Sequence, residues 1–315
     1  LNGLTDEVLV PENPNAQEFE IDRLLSLQSG ENEVALIAAN AEATSAAETL
    51  FVQVAREVPT STRRMNLLAI GISEYATADD RLDLLPHAAA DARHFAATAV
   101  TQAAGKLYSE VQTRVIQNAD ANRTEILQGM QWLVDNTQDG DTAVIFLSAY
   151  CFLDSTANFY VGTHEVDMSR PRATAISWRE FIKTLHEDLP SCRRLVFLDL
   201  QPTEQAIAPG QRNPLLDLAA PELATTFFSS TALQQTRPLQ PNRQRGYLTE
   251  ALAHVLHDPA SDVEPQPTDN LLSNSEVSQA WQSQFQRLTA GKLFPVAYVP
   301  AGNRRHAVFD LTNIK

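Results

Sequence analysis

The chain has 315 residues, 43% of them hydrophobic, and a formal net charge of −15. That is enough apolar material for one large domain with an appendage, or for two modest domains. The negative balance leaves no basic surface to drive nucleic-acid binding, no run of about 18 apolar residues could cross a bilayer as a helix, and two cysteines are too few for a disulfide framework.

Those two, Cys151 and Cys192, also stand apart from any clustered Cys/His spacing that zinc would need, so no metal and no cofactor is expected. They fit a reducing compartment, and a cytoplasmic location follows as the expectation. The first residues, "LNGLTDEVLVPENPN", lack the basic and apolar regions of a secretory signal. A chain that opens on Leu1 is read as a piece of a longer protein.

Residues 1–57 alternate in the manner of strands: "EFEI" at 18–21, "NEVALIAAN" at 32–40 and "ETLFVQVARE" at 48–57, separated by "SGE" and "AEATSA". They read as a small β-sandwich-like (Ig-like) segment. Three or four strands make a thin sandwich, so upstream chain or the following domain is expected to complete it. "VPTSTRR" at 58–64 is polar, contains Pro59 and has no periodicity, which makes it the linker.

From residue 65 to 315 strands and helices alternate, the mark of a mostly parallel central sheet flanked by helices on both faces, an α/β domain. "NLLAIGI" at 66–72 is a continuous apolar run of strand length. "LPHAAADARHFAATAV" then places Ala88, Ala92, Phe95 and Ala99 on one helical face. "VQTRVI" at 111–116 is the second strand. In the helix that follows, Asn122 is the N-cap, Glu125 completes a capping box, and Ile126, Met130 and Leu133 face inward.

"TAVIFLS" forms the third strand and "RRLVFLDL" at 193–200 the fourth. Between them "NFYVGTHEVD" reads as a short hairpin and "SWREFIKTLHEDL" as a helix capped by Ser177, with Trp178, Phe181, Ile182 and Leu185 buried. A loop covers 201–213, a strand "ATTFFSS" 224–230 and a helix 247–257. The stretch 258–270, rich in prolines and acids, is an exposed loop. A helix from Ser275 to Leu288 and a strand at 306–311 close the domain.

Ligands of an open parallel sheet bind beyond the C-terminal ends of its strands, so "SAYC" after the third strand and "DLQPT" after the fourth carry the interest. Together with "LLAIGISEY" and "HAAADARHF", these segments resemble the caspase-like peptidases of clan CD (peptidase family C14), in particular the bacterial orthocaspases and metacaspase-like proteins. The resemblance covers roughly residues 65 to 311 and implies a caspase-like fold, with a small β-domain often preceding it. Family members read S-G-H-G after the third strand and D-A-C-H-S-G after the fourth, and the His and Cys form a catalytic dyad.

Placed on this sequence, Ser148 falls under the Ser, Ala149 under the Gly, Tyr150 under the His and Cys151 under the second Gly. Asp199 matches the Asp, Leu200 the Ala and Gln201 the Cys, with Pro202 and Thr203 after it. The dyad is therefore degenerate. A carboxamide is no nucleophile, and a phenol with a reference pKa of about 10 is a poor base at neutral pH. Cys151 also sets a Cβ where the family's glycine lends its N–H to the oxyanion.

The resemblance implies a vestigial pocket of Asp199, Asp154, Ser148 and Cys151. In relatives that cleave after Arg or Lys, the acid two residues before the nucleophile helps bind the basic side chain. Against this stands a plainer reading in which Asp199 caps a turn or pairs with an arginine. Asp91 matches an acidic position common in the family and is otherwise a helix-face carboxylate. The expectation is a catalytically inactive caspase-like domain, a pseudoprotease serving as a protein-binding or regulatory module. Its partner would be a protein or peptide, or other domains of a longer parent chain. The alternative is a divergent cysteine endopeptidase using Cys151, with specificity for basic P1 residues and His164 as the nearest histidine along the chain. Free cysteines are more often small packing residues.

Overall fold

A computed structural model describes residues 30–38, 45, 48–54, 62–76, 82, 85–103, 107–203, 213–220, 224–233, 245–263 and 270–311. The contacts divide the chain into two units, Leu1–Val58 and Pro59–Lys315. In the first, β1 (Gly30–Leu36) and β2 (Glu48–Val54) form an antiparallel pair running from Gly30↔Val54 to Leu36↔Glu48. The strand read at 18–21 lies outside the described residues.

The second unit is an α/β structure with a mostly parallel central sheet. Its strands are β3 (Arg64–Gly71), β4 (Glu110–Gln117), β5 (Thr142–Leu153), β6 (Phe159–Gly162), β7 (Ala175–Ser177), β8 (Arg193–Pro202), β9 (Thr225–Ser229) and, later in the chain, β11 (Val296–Tyr298). The main path runs β11-β9-β8-β5-β3-β4. Its four inner pairings are parallel, β11 joins antiparallel at one edge, and β6 with β7 extends the far end of β5 as an antiparallel flap. A separate pair joins β10 (Leu271–Ser273) to β12 (Ala307–Asp310).

The helices are α1 (Ala88–Ala103), α2 (Arg123–Asn136), the single turn α3 (Pro171–Thr174), α4 (Trp178–Lys183, continued by a π turn at Thr184–Asp188), the single turn α5 (Leu215–Leu218), α6 (Tyr247–Leu256) and α7 (Asn274–Thr289). Successive strand residues point to opposite faces, and the two faces have separate cores. Val144, Phe146, Leu195 and Phe197 pack with α1, α6 and α7, where Phe95 stacks 4.8 Å from Phe146. Ala143, Ile145, Val196 and Leu198 pack with α2 and α4.

Local chemistry explains the ends. Ser177 and Ser273 each accept a backbone N–H from a glutamate three residues on, whose side chain returns to the cap, so α4 and α7 open on capping boxes. At α2 only half of the expected box forms. Asn122 accepts from Glu125 N, but the Glu125 carboxylate pairs with Arg114 at 3.2 Å instead. α1 starts unusually close to the sheet: a Cβ on Gly71 would lie 2.1 Å from the Ala88 carbonyl oxygen. That approach needs glycine at the end of β3.

Five strands exceed or escape the sequence reading. β5 and β8 run past their apolar cores into "SAYCFL" and "QP", and β7, β10 and β11 are three-residue strands in stretches with no alternation to announce them. Ile182 is only half-buried, since α4 gives way to the wider π turn after Lys183.

Candidate functional site

The site lies at the C-terminal ends of β3, β5 and β8. Ile72 donates its N–H to Ser148 O at 3.0 Å, and the chain then leaves β3 as a braced loop. Ser73 donates its N–H to Asn118 Oδ1, its Oγ accepts the Ala89 N–H, and its carbonyl accepts the Leu85 N–H. His164 secures the same loop: its Nδ1 lies 2.7 Å from Glu74 O, and its own carbonyl accepts Ala76 N–H. This histidine is thus built into the loop as a donor to a carbonyl.

The braced loop presents Tyr75 to β5. Its hydroxyl accepts the Tyr150 N–H at 2.8 Å, and the two rings meet edge to face with centroids 5.4 Å apart. Burial pushes the Tyr75 phenol well above its usual value. Tyr150 itself is buried among Leu85, Ala88 and Tyr75.

The ladder between β5 and β8 continues through the degenerate positions. Ser148 pairs with Asp199, Ala149 with Leu200, Tyr150 with Gln201 and Cys151 with Pro202, after which Thr203 donates its N–H to Cys151 O. Neighbours in register share a face, so Ser148, Tyr150, Asp199 and Gln201 all belong to the face of α1 and α6. Cys151 belongs to the other face. It has no exposed surface and sits in the apolar cluster of Ala149, Phe159 and Val161.

Of the four residues assigned to one vestigial pocket, the structure therefore brings together Ser148 and Asp199 only. Asp154 closes the β5–β6 turn, where its Oδ1 accepts the N–H groups of Thr156 and Asn158 and the Thr156 hydroxyl. Those bonds hold its carboxyl far below the usual range, despite the opposing effect of desolvation. The sequence reading missed this because it placed Asp154 by distance along the chain from the third strand, without the flap that carries it away.

A different acid joins Asp199. Asp91 on α1 is fully buried and accepts the Gly246 N–H at 2.9 Å, capping the start of α6. A Cβ on Gly246 would lie 2.6 Å from Asp91 Oδ2 and 3.0 Å from Asp199 Oδ2, so both carboxylates flank one point. The two buried acids thus meet beside the start of α6, where the partial positive charge of a helix N-terminus favours carboxylates. The signal was present: Asp91 lies on the same helical face as Ala88, Ala92 and Phe95.

Cys192 lies elsewhere, half-buried just before β8, with its thiol pushed up by burial. Among the described residues no group of three His, Cys, Asp or Glu could hold a metal ion, and no helix is long and apolar enough to cross a membrane.

No protein-family model matches the chain, and no curated protein matches it either. Solved structures do. Protein GSU0716 from Geobacter sulfurreducens matches with a TM-score of 0.55 at 12% identity, covering 79% of this chain and 99% of that one. A structure of pro-sf-caspase-1 matches with a TM-score of 0.46 at 10% identity, covering 77% and 93%. At 12% identity the likeness to the Geobacter protein is one of fold alone.

Proposed function

We propose that this chain carries a caspase-like domain of the bacterial orthocaspase type that has lost peptidase activity and works as a protein-binding or regulatory module. The observation that supports this most is the pairing of Tyr150 with Gln201 on one face of the strand ends. In the enzymes the sequence resembles, base and nucleophile stand at these positions, and a phenol facing a carboxamide cannot generate a thiolate or accept an acyl group. The rival reading, with Cys151 as nucleophile, requires a thiol open to substrate, whereas Cys151 is buried on the opposite face.

Binding capacity remains in two places. For a protein or peptide partner, Asp199 stands at the position whose acid helps bind a basic side chain in the enzymes the sequence resembles. On the other face a groove of about 820 Å³ runs beside β6 and α4, with Arg172 and Arg179 exposed at its rim.

The test combines Arg-, Lys- and Asp-directed fluorogenic peptides with a thiol-reactive probe. No turnover is expected, and Cys151 should stay unlabelled while the protein is folded. Turnover abolished by Cys151→Ala would sink the proposal. Arg-containing peptides should bind weakly, and Asp199→Ala should remove that binding; unchanged binding would leave Asp199 a structural residue.

A further inference from the structure

The flap at the far end of β5 makes a groove with α4, and the floor of that groove is apolar. β7 pairs with β6 and runs directly into α4 at Trp178. Phe159 of β6 meets the Trp178 ring edge to face with centroids 5.5 Å apart, and Trp178 stacks on Phe181 at 5.0 Å. The Trp178 indole donates its N–H to Pro214 O at 3.1 Å, which ties the start of α5 to the same rings. Phe159, Trp178, Ile182 and Pro214 line the groove of about 820 Å³. The turn that follows Pro214 also carries Leu216, 56% exposed.

A strand added at this edge would find the β7 backbone taken. The Ala175 N–H goes to Pro171 O, the Ala175 carbonyl accepts Arg123 Nε at 3.1 Å, and the Ser177 N–H goes to Glu180 Oε2 at 3.1 Å. Recognition therefore falls to side chains. Three arginines and two acids line the groove. Glu180 accepts the Arg123 guanidinium on Oε1 and the Ser177 hydroxyl on Oε2, so that pair is closed. Asp217, half-buried on the α5 turn, has an interaction of its own. Arg172 and Arg179 are exposed and have no ion pair or hydrogen bond among the described residues.

In a chain of net charge −15, two unpaired arginines beside an apolar bed reverse the local sign. Carboxylates complement them, because a guanidinium fork matches both oxygens of a carboxylate. An inorganic anion would leave the apolar floor and Leu216 uncovered, whereas a peptide supplies both kinds of contact, and arginine and tryptophan are the side chains that most often anchor such interfaces. We propose that the groove between β6 and α4 binds an acidic segment of a partner protein, with a bulky apolar side chain on the floor and flanking carboxylates on Arg172 and Arg179. The assignment rests on the reading of the domain as a protein-binding module and does not involve Asp199 at the strand ends.

The test uses the full chain and a fluorescein-labelled peptide in which one leucine is flanked on both sides by glutamates. The peptide should bind saturably and shift the NMR signal of the Trp178 indole N–H, while that of Trp281, which donates to Leu248 O in the other core, stays in place. Each exposed ion pair is worth up to several-fold, so reversing both cations, Arg172→Glu with Arg179→Glu, should weaken binding by about tenfold with the fold intact by urea denaturation. A glutamine analogue of the peptide should lose as much, and glycine in place of its leucine should also weaken it. Binding untouched by the charge reversal or by the glutamine analogue, or binding that leaves the Trp178 signal unmoved, overturns the site. Displacement of the peptide by equimolar inorganic phosphate overturns the peptide class, and self-association abolished by the double substitution would seat a second copy of the chain there instead. No binding together with no turnover of the fluorogenic peptides overturns this assignment alone, whereas turnover sinks the inactive-domain reading and leaves the groove standing.

Discussion

At the scale of single residues, Tyr75 is the one that organises the strand ends. Its hydroxyl supplies the acceptor for the Tyr150 N–H, and its ring fills the space against Tyr150. Tyr75→Phe keeps the ring and removes the acceptor, leaving a buried backbone donor unsatisfied. The expected cost is about 1–3 kcal/mol, read from the urea midpoint at unchanged slope. Tyr75 was invisible as a functional residue in the sequence, because "SEYA" has no pattern to separate a site tyrosine from a loop tyrosine. Tyr150 and Gln201 were legible, since each follows an unmistakable apolar strand. Their shared face was not, because it depends on the register between two strands about 50 residues apart along the chain.

At the scale of elements, the length of β5 and β8 separates this site from a loop-built one. Regular strands carry the degenerate positions, and α1 is pressed onto the end of β3 at Gly71. Gly71→Ala should force α1 and β3 apart and cost about 1–3 kcal/mol in the same denaturation assay. The apolar strands β3, β5, β8 and β9 and the helices α1, α2, α6 and α7 could all be read from periodicity and caps. What escaped was set by tertiary pairing. β10 exists because β12 pairs with it, and β11 because β9 offers an edge. Asp154 was misplaced for the same reason, since the antiparallel β6 draws the end of β5 into a turn that consumes the carboxylate.

At the scale of the whole molecule, acid tolerance is set in part at the end of the sheet away from Tyr150. The His306 pKa lies at about 3 in the fold against 6.5 ordinarily, because burial and then Arg193 and Arg63 disfavour its cation. Between those values the unfolded chain binds a proton that the folded chain refuses. Stability is therefore full above about 6.5 and falls as the pH drops toward about 3. Denaturation across that range should show this slope, and His306→Gln should flatten it. A wild-type curve with no slope there would show that His306 is solvated.

β5 runs without a break from Thr142, beside Arg193, to Tyr150, beside Gln201, a span of roughly 26 Å at about 3.3 Å per residue. Coupling between distant sites needs an element with two arrangements that both ligands bias. A strand bonded to β3 on one side and β8 on the other has a single register and no hinge. An Arg-containing peptide bound at the Tyr150 end should then leave hydrogen exchange at the Thr142 end of β5 unchanged within about twofold.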